Sequence, residues 1–461
     1  MKQHGYNDRQ SCTERRKDIL EGDWIYHLEQ HVKTKLSIQR IENMGVPSKS
    51  INLFRSVVEQ LSVLYDKAPI VRNENLTPLQ DAYLSSLNVF RLHSRLNKYV
   101  VGLRECFIKL DWSPGDHLSE AGIRLRLVTP DCVEAYADID NPTVPYRIEE
   151  KRCRKIGNKT VDCLDIWDVS DLMNPYYEVR STNMKSDYTD LLGLRFEYPY
   201  VTDDGRPYLP WVLYHASEST CLFNHHELEE LVEATLDIGL DWSFWRHCLL
   251  EASWSQKYTI DLQLAGLEHR SQGENGARAE IPIAPNSLMQ FTTDSNKESA
   301  TGTFNVVEAA IDPKKIAESI AIHSLSICDS LGISPDIQKT QSAQSGVSIQ
   351  IRRDSVREMQ KKYTRQFQSG DTELLAKIAL INNDNSDVKI PVKGYSVTYP
   401  SIPMSHDELT SKLDFSLKLL ANGLTTKERI LAELNPELDA SDIMNMMSEM
   451  EQAIPTPTQG V

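Results

Sequence analysis

The sequence predicts an α+β protein of two or more domains, and three observations carry this prediction. Long stretches with apolar residues at helical spacing occur near the start of the chain and through its second half. Between them, roughly residues 105–215 alternate apolar and polar positions around turn signals such as SPGD, DNPT and IGNK, which is typical of antiparallel strands. The chain's 461 residues, 40% of them hydrophobic, also exceed the usual size of one domain.

Helices are expected before the sheet. Residues 11–45 are charged and helix-like, and the stretch 53–64 then places leucine and valine at helical spacing. Pro69 is expected to end that second helix. Thr77 as N-cap and Pro78 at the first helical position begin a third, which the pattern extends to about residue 105.

The second half alternates long helices with a strand-rich insertion. Residues 225–254 carry an apolar stripe opposed by acids, which predicts a helix roughly 45 Å long. Residues 255–311 break into short strand-like runs around the turn SQGENGARA. Asp312 as N-cap and Pro313 after it begin the next helix, which Gly332 ends.

A polar segment then interrupts the helices. Residues 332–353 read GISPDIQKTQSAQSGVSIQIRR and offer almost nothing to bury. A long helix follows, with a bend expected at QSGD (368–371) because glycine lowers helix propensity. Residues 386–403 predict one or two strands, and the tail is helical, with a capping box expected between Thr425 and Glu428.

Composition narrows the function classes. The 50 basic and 66 acidic residues give a net charge of −16, so the surface repels nucleic acid over most of its area and any DNA is held loosely. Eight cysteines without a C-x-x-C pair favour reduced thiols over a zinc ribbon or a disulfide framework. No apolar run approaches a membrane span and no signal peptide is visible, so we expect no membrane partner.

Catalytic motifs are missing from the sequence. No phosphate-binding glycine loop and no serine-hydrolase elbow occurs, so we expect neither an enzyme nor a bound metal or cofactor. In FNHHELEE, His226 and Glu230 stand four apart and could share a helix face, but without a third ligand a solvated helix start is favoured. The rival is a metal-dependent nuclease or hydrolase built on His225, His226 and nearby acids. ADIDNP starts like a calcium loop, but Pro142 replaces a ligand and a β-turn is expected.

Four segments in order resemble the portal proteins of tailed bacteriophages. They are NLFRSVVEQLSVLYDKAPIV, LVTPDCVEAYADIDN, SGVSIQIRR and LLANGLTTKERILAELNPELDASDIMNMMSEMEQ, and the resemblance covers about residues 40–450. Each motif alone is weakly specific for the family, whereas the order of the four motifs along the chain is more specific. One departure is Ser348, where the family often has alanine.

The resemblance implies a portal-type fold with named regions. These would be an N-terminal helical arm at 1–39, a wing of helices and antiparallel strands at 40–224, a first stem helix at 225–254, a β-rich clip at 255–311, a second stem helix at 312–333, a tunnel loop at 334–346, a long kinked helix and a strand returning to the wing at 347–404, and a helical crown with the C-terminal tail at 405–461.

The resemblance also implies a function and its residues. Subunits would form a ring of twelve at one capsid vertex of the virion after assembly in the host cytoplasm, as the channel for packaging and ejection of double-stranded DNA. Partners would be the terminase, head-completion or adaptor proteins, and the major capsid and scaffolding proteins. The implied positions are the DNA-facing Gln338, Lys339, Thr340, Gln341 and Ser342, the helix restart at Ser345 and Gly346, the channel or subunit contacts Arg352 and Arg353, and the clip residues Arg270, Asn275 and Arg278.

Two readings of the charges and of the loop stay open. Arg352 and Arg353, like the pair at 361–362, suit either nucleic acid or a solvated or subunit-facing surface. A protein-binding scaffold or adaptor of a phage particle, with the polar loop as a plain connector, is the alternative to a portal. It predicts no ring and no channel.

Overall fold

The chain is an α+β protein built as two compact units. The computed structural model describes residues 6–36, 51–115, 122–156, 159–181, 194–224, 228–252, 256–260, 262–264, 291–293, 303–307, 312–330, 346–400, 406–434 and 440–453. The first unit contains Met1–Trp24, Leu53–Val232 and Cys328–Val461, and the second contains Ile25–Asn52 and Glu233–Ile327. All strand pairs of the described residues are antiparallel, as the alternating pattern predicts.

The helices before the sheet are shorter than the sequence pattern suggests. They are Tyr6–Glu21 (α1), Ile25–Lys35 (α2), Leu53–Leu61 (α3), Pro78–Ser86 (α4) and His93–Leu103 (α5), with a 3-10 turn at Val89–Leu92. Helix α3 ends at Leu61 rather than at Pro69. The predicted helix to residue 105 is two helices because Asn88 adopts a left-handed φ of 44°. The Thr77 cap is confirmed, and Gln80 completes a capping box that the prediction missed.

Two antiparallel sheets follow between residues 105 and 215. Strands Glu105–Ser113 (β2), Gly122–Val128 (β3) and Trp211–His215 (β9) form a sheet in the order β3-β2-β9. Strands Val133–Ala137 (β4), Pro145–Ile156 (β5), Lys159–Asp168 (β6), Tyr176–Ser181 (β7) and Leu194–Phe196 (β8) form a second sheet in chain order. Between β4 and β5 the ADIDNP segment makes the expected turn, in which the Asn141 amide donates to the Asp138 carbonyl at 3.2 Å.

The second half largely follows the predicted order. Its elements are Glu229–Ala252 (α6), Gln256–Ile260 (β10), Leu262–Leu264 (β11), Phe291–Thr293 (β12), Thr303–Val307 (β13), Pro313–Ser330 (α7), Gly346–Asn385 (α8), Ser396–Thr398 (β14), His406–Ala421 (α9), Lys427–Leu434 (α10) and Ala440–Ala453 (α11). Strand β14 pairs with Ile70–Arg72 (β1), so the chain returns to its N-terminal third.

Two helix caps in this half can be compared with the sequence prediction. The Asp312 cap is confirmed, because its Oδ1 accepts from the Lys314 amide at 3.0 Å. The capping box at Thr425 and Glu428 is wrong by one residue, since α10 begins at Lys427 and the Thr426 hydroxyl accepts from the Arg429 amide at 3.3 Å. Short-range spacing therefore located the helix but not its first residue.

The core of the first unit surrounds strand β2. Residues 105–110 are all buried, so both faces of the strand are covered by other elements. Helix α3 buries its whole apolar stripe, namely Leu53, Phe54, Val57, Val58 and Leu61. Helices α5 and α8 pack against the strand and α3 packs against both of them, which places the long helix against the sheet rather than in solvent.

The second unit is held by contacts of its own. His31 Nε2 in α2 lies 2.7 Å from Asp237 Oδ1 in α6, and the Trp245 indole donates to the Pro313 carbonyl at 2.8 Å. The four strands described in this unit form two pairs, β10 with β13 and β11 with β12, which agrees with the strand-rich insertion that the sequence predicts. The predicted strand in AEIPIAP (279–285) lies outside the described residues.

Two further expectations concern thiols and membranes. All eight cysteines are free thiols, as the absence of a paired spacing suggests. Among the residues that the structure describes, no helix is long and apolar enough to cross a bilayer.

Candidate functional site

Most residues that the sequence proposes for function fall outside the described part of the chain. The tunnel-loop residues Gln338, Lys339, Thr340, Gln341 and Ser342, together with Ser345 and the clip residues Arg270, Asn275 and Arg278, lie in the undescribed ranges 331–345 and 265–290. Gly346 begins helix α8, in agreement with the predicted restart. Arg352 and Arg353 are in the first two turns of that helix, where only the backbone is described.

The described residues do not form the metal site of the alternative hypothesis. His225 and His226 lie outside the described residues, while Glu230 is in the first turn of α6. Within the described ranges, no group of three or more His, Cys, Asp or Glu side chains could hold a metal ion. The neighbouring Glu229 instead pairs with α1, where Arg16 Nη2 lies 3.1 Å from its Oε2, while Glu230 is exposed. Burial lowers the pKa of Arg16 to about 10.

Helix α8 is the described element that bears most directly on the loop, since it begins where the loop ends. Its 40 residues span roughly 60 Å at 1.5 Å per residue. A carboxylate in its middle, Asp371, is completely buried. A buried carboxylate must be paired or hydrogen-bonded to be tolerated, so the groups around Asp371 define how the helix is held.

Three tyrosine hydroxyls donate to Asp371. Tyr214 donates to Oδ1 at 2.9 Å, while Tyr65 and Tyr399 donate to Oδ2 at 2.8 and 2.7 Å. His93 Nε2 lies 3.2 Å from Oδ1 but without hydrogen-bond geometry. These five residues, called the anchor below, join α8 to α5, to β9 and to the segments that follow α3 and β14.

Burial keeps the phenols of the anchor protonated. It raises the pKa of Tyr65 and of Tyr214 well above the ordinary value, and the negative charge of Asp371 raises both further. The pKa of Tyr399 is also raised by burial and then by Asp371. The three hydroxyls therefore remain neutral hydrogen-bond donors to Asp371 over the whole working pH range.

Gly370 explains why the helix can come so close to the sheet. A Cβ at this position would lie 2.5 Å from Cε1 and 2.6 Å from Cδ1 of the Tyr214 ring, closer than real Cβ atoms approach. Helix α8 runs without a break through residues 368–371, so the glycine is needed for packing and does not end the helix there. The bend that the sequence predicts at this glycine stays a prediction, because an unbroken helix can still curve.

Further contacts extend the anchor along the same half of the helix. Gln368 Nε2 donates to the Val397 carbonyl at 2.9 Å and Lys377 Nζ to the Trp211 carbonyl at 2.5 Å. Phe367 and Tyr65 pack edge to face with ring centroids 5.6 Å apart, and Phe367 is fully buried. Residues 367–377 are thus fixed to the sheets by polar and aromatic contacts together.

The anchor can fix the position of helix α8. Asp371 and His93 have no exposed surface, so a substrate has no route to the carboxylate or to the imidazole. The arrangement can hold α8 at a fixed height and rotation. Sequence reasoning missed it because its members come from five separate segments of the chain, with Tyr65 and Asp371 306 positions apart. The one local signal was an acid inside the apolar stripe of a helix.

Comparisons with known proteins give a distant likeness at the level of structure alone. No protein-family model matches the chain, and no curated protein sequence matches it. Among solved structures, the chain is similar to a chain in the neck of an empty GTA particle computed with C6 symmetry. That likeness has a TM-score of 0.42 and 12% sequence identity, over 87% of this chain and 94% of the other.

Proposed function

We propose that this chain is a portal protein, which forms a ring at one capsid vertex and provides the channel for DNA packaging and ejection. The observation that carries the proposal is the order of elements between residues 229 and 398. A 24-residue helix, short antiparallel strands, an 18-residue helix, a polar segment, a 40-residue helix and a strand that pairs back to residues 70–72 follow one another. This order agrees with the order that the portal resemblance implies.

The polar segment would be the DNA-facing part of the channel. Residues 338–342 read QKTQS, which offers amide, hydroxyl and one ammonium group to a phosphate backbone and no apolar side chain. Such contacts carry no sequence information and exchange easily, so DNA can slide past them. In a ring, Lys339 repeats once per subunit and forms a circle of positive charge within a protein of net charge −16.

The anchor would keep this loop in place while DNA moves. Asp371 lies 25 residues after Gly346, a distance of roughly 38 Å along the helix. A force on the loop acts on the start of α8, and its far half is fixed by the three tyrosines, by Gln368 and by Lys377. We infer that α8 acts as a stiff strut between the loop and the sheets.

The remaining regions would serve partners rather than chemistry. We propose that the insertion with Arg270, Asn275 and Arg278 meets the terminase during packaging and head-completion proteins afterwards. The C-terminal helices would face the capsid interior, and capsid and scaffolding proteins would surround the ring. We propose no catalytic role and no cofactor for the chain itself, since the energy for translocation would come from the terminase.

The first test is the assembly state. Negative-stain electron microscopy and native mass spectrometry of the purified chain should show annular particles with an open centre and a mass near twelve subunits. Monomers or small closed oligomers, with or without a scaffolding partner, would contradict the portal and favour the adaptor, which predicts no ring.

The second test addresses the loop. Deletion of residues 337–343 should leave the ring intact and reduce DNA packaging or retention, because the deleted residues contact DNA and no other subunit in this proposal. A variant with the same seven residues replaced by glycine and serine controls for loop length, and Lys339→Gln isolates the ring of charge. Loss of the ring on deletion would show that the loop is structural.

A further inference from the structure

A cluster of positive charge stands out on this acidic chain. Arg91, Lys109, Arg124, Arg126 and Arg152 line an open groove of about 590 Å³ on strands β2, β3 and β5. A second pocket of about 610 Å³, lined also by Trp167, Tyr177 and Tyr200, shares Lys109 and Arg152 with it. We call these two adjoining pockets the basic groove.

The carboxylates near the groove do not balance its cations. Lys109 Nζ lies 3.3 Å from Glu150 Oε2, Arg126 pairs with the same carboxylate, and Arg152 Nη1 lies 3.5 Å from Asp165 Oδ2. Glu150 and Asp165 are both buried. Among the described residues, Asp111 and Asp162, whose carboxylate contacts Cys153 at 3.0 Å in the wall of the second pocket, bring the acids to four against five cations, an excess of one positive charge.

The groove also holds a hydrogen-bond donor without an acceptor. The indole Nε1 of Trp167 is buried and donates to no atom in the described part of the chain. Only 5% of this tryptophan is exposed, and the Lys109 ammonium lies 4.8 Å from the centroid of its ring. A buried donor beside an excess of positive charge suits an anion with acceptor oxygens.

A surface of opposite charge, with exposed acids, lies elsewhere in the first unit. The turns 138–144 and 169–175 lie at the same end of the five-stranded sheet, because Arg147 at the start of β5 pairs in register with Asp168 at the end of β6. They expose Asp138, Asp140 and Asp171. Ile139 is 94% exposed and Met173 88% exposed between those acids. We call these two turns the acidic tip.

We propose that the acidic tip of one copy of this chain docks into the basic groove of the next copy. The tip supplies carboxylates for the unbalanced arginines, and its exposed apolar side chains meet the groove wall at Ile123 and Leu125. No tip residue lines the groove of its own chain, so the proposed contact joins two molecules. Two different surfaces in contact make a head-to-tail interface, the kind that closes into rings. The inference rests on the proposed ring and specifies one of its contacts.

Charge reversal tests the contact in both directions. The tip variant carries Asp138→Lys, Asp140→Lys and Asp171→Lys, and the groove variant carries Arg91→Glu and Arg124→Glu, two arginines that form no ion pair among the described residues. Each variant alone should raise the subunit concentration for half-assembly by at least about tenfold, since like charges then face each other. Native mass spectrometry and sedimentation velocity measure it.

Mixing the two variants gives the decisive result. In the mixture each reversed tip meets a reversed groove and each native tip a native groove, so assembly should return to the wild-type concentration. Asp203→Lys with Asp204→Lys, in an exposed turn whose residues line neither pocket, changes charge in the same sense and should leave assembly unchanged. Circular dichroism confirms that each variant folds.

The outcomes separate this inference from the proposed function. If the wild type forms rings and both charge-reversed variants assemble at the same concentration as the wild type, the tip-and-groove contact is overturned and the portal proposal is unaffected. The same holds if the variants lose assembly and their mixture does not regain it. Open or small oligomers that respond to the reversals and are rescued by mixing overturn the portal ring and support the contact. A chain that stays monomeric at every concentration overturns both.

Discussion

The anchor and the basic groove are two solutions to the same problem, a buried carboxylate in the first unit. Strand β9 serves both, because Tyr214 donates to Asp371 and Trp211 packs near the Lys109 ammonium at 5.1 Å from its ring centroid. In the anchor, neutral hydroxyls solvate one carboxylate in a sealed space. In the groove, charged side chains share two carboxylates at an open surface, with positive charge in excess.

The difference shows how one unit separates rigidity from recognition. Neutral donors add no charge that another molecule could satisfy, so a sealed network fixes an element and does no more. Excess charge at an open site gains most of its value when a partner arrives, since exposed ion pairs contribute little by themselves. The anchor therefore acts on stability and the groove on association.

The largest effect is expected at the centre of the anchor. Asp371→Ala leaves three buried hydroxyls without their acceptor and opens a cavity beside them, which should lower the free energy of unfolding by about 3–5 kcal/mol. Urea unfolding measures it. The matched control Tyr399→Phe removes one donor only and should cost about 1 kcal/mol. Equal effects from both variants would mean that the carboxylate is not the hub of the network.

Low pH should reduce the free energy of unfolding through His215 in strand β9, which both regions share. Burial, with help from Arg104, lowers the pKa of His215 at the end of β9 to about 4, from an ordinary 6.5. The unfolded chain binds a proton on this imidazole below pH 6.5 while the folded chain does so only near pH 4, so stability is lost as pH falls through this window. The full loss is about 3 kcal/mol.

A variant isolates that contribution from the carboxylates that titrate in the same range. His215→Gln should lose less of its unfolding free energy between pH 7 and pH 4.5 than the wild type, by roughly 2 kcal/mol. Urea unfolding of both proteins at both pH values gives the four free energies of unfolding that the comparison needs. Identical pH dependence in the two proteins would show that His215 is protonated in the folded state.

A smaller effect is expected from the glycine beside the anchor. Gly370→Ala places a methyl group against the Tyr214 ring, and over-packing of this kind costs about 1–3 kcal/mol, which exceeds the gain of about 1 kcal/mol in helix propensity. Thermal unfolding is sufficient to detect it. Gly122→Ala is the control, since nothing lies within 4 Å of the Cβ it would add. A stabilised Gly370→Ala variant would mean that Tyr214 can move aside.

A substitution in the basic groove should have the smallest effect on the stability of the isolated chain. Arg124→Gln removes an exposed charge that forms no ion pair among the described residues, so the free energy of unfolding should change by less than about 0.5 kcal/mol. Its effect should appear only in the assembly measurements. A destabilisation above 1 kcal/mol would place Arg124 in the fold itself and blur the contrast with the anchor.

Local patterns were enough to predict most elements. The cap at Asp312, the cap at Thr77 and the antiparallel region between 105 and 215 all follow from residues close in sequence, and the structure confirms them. Boundaries were less predictable. Helix α3 ends early at Leu61, and the left-handed Asn88 divides what read as one helix. Such breaks depend on the backbone of single residues, which a periodic pattern averages out.

Periodicity, caps and turn signals in the sequence by themselves determined the α+β class, the order of helices and strands and the position of the polar segment, because each depends on neighbours a few residues apart. Only the tertiary structure decided that Asp371 is a hub, that Gly370 admits a tyrosine ring and that five cations share one groove. These features join residues as much as 306 positions apart. Burial and distance across the fold, rather than residue type, determine what such groups do.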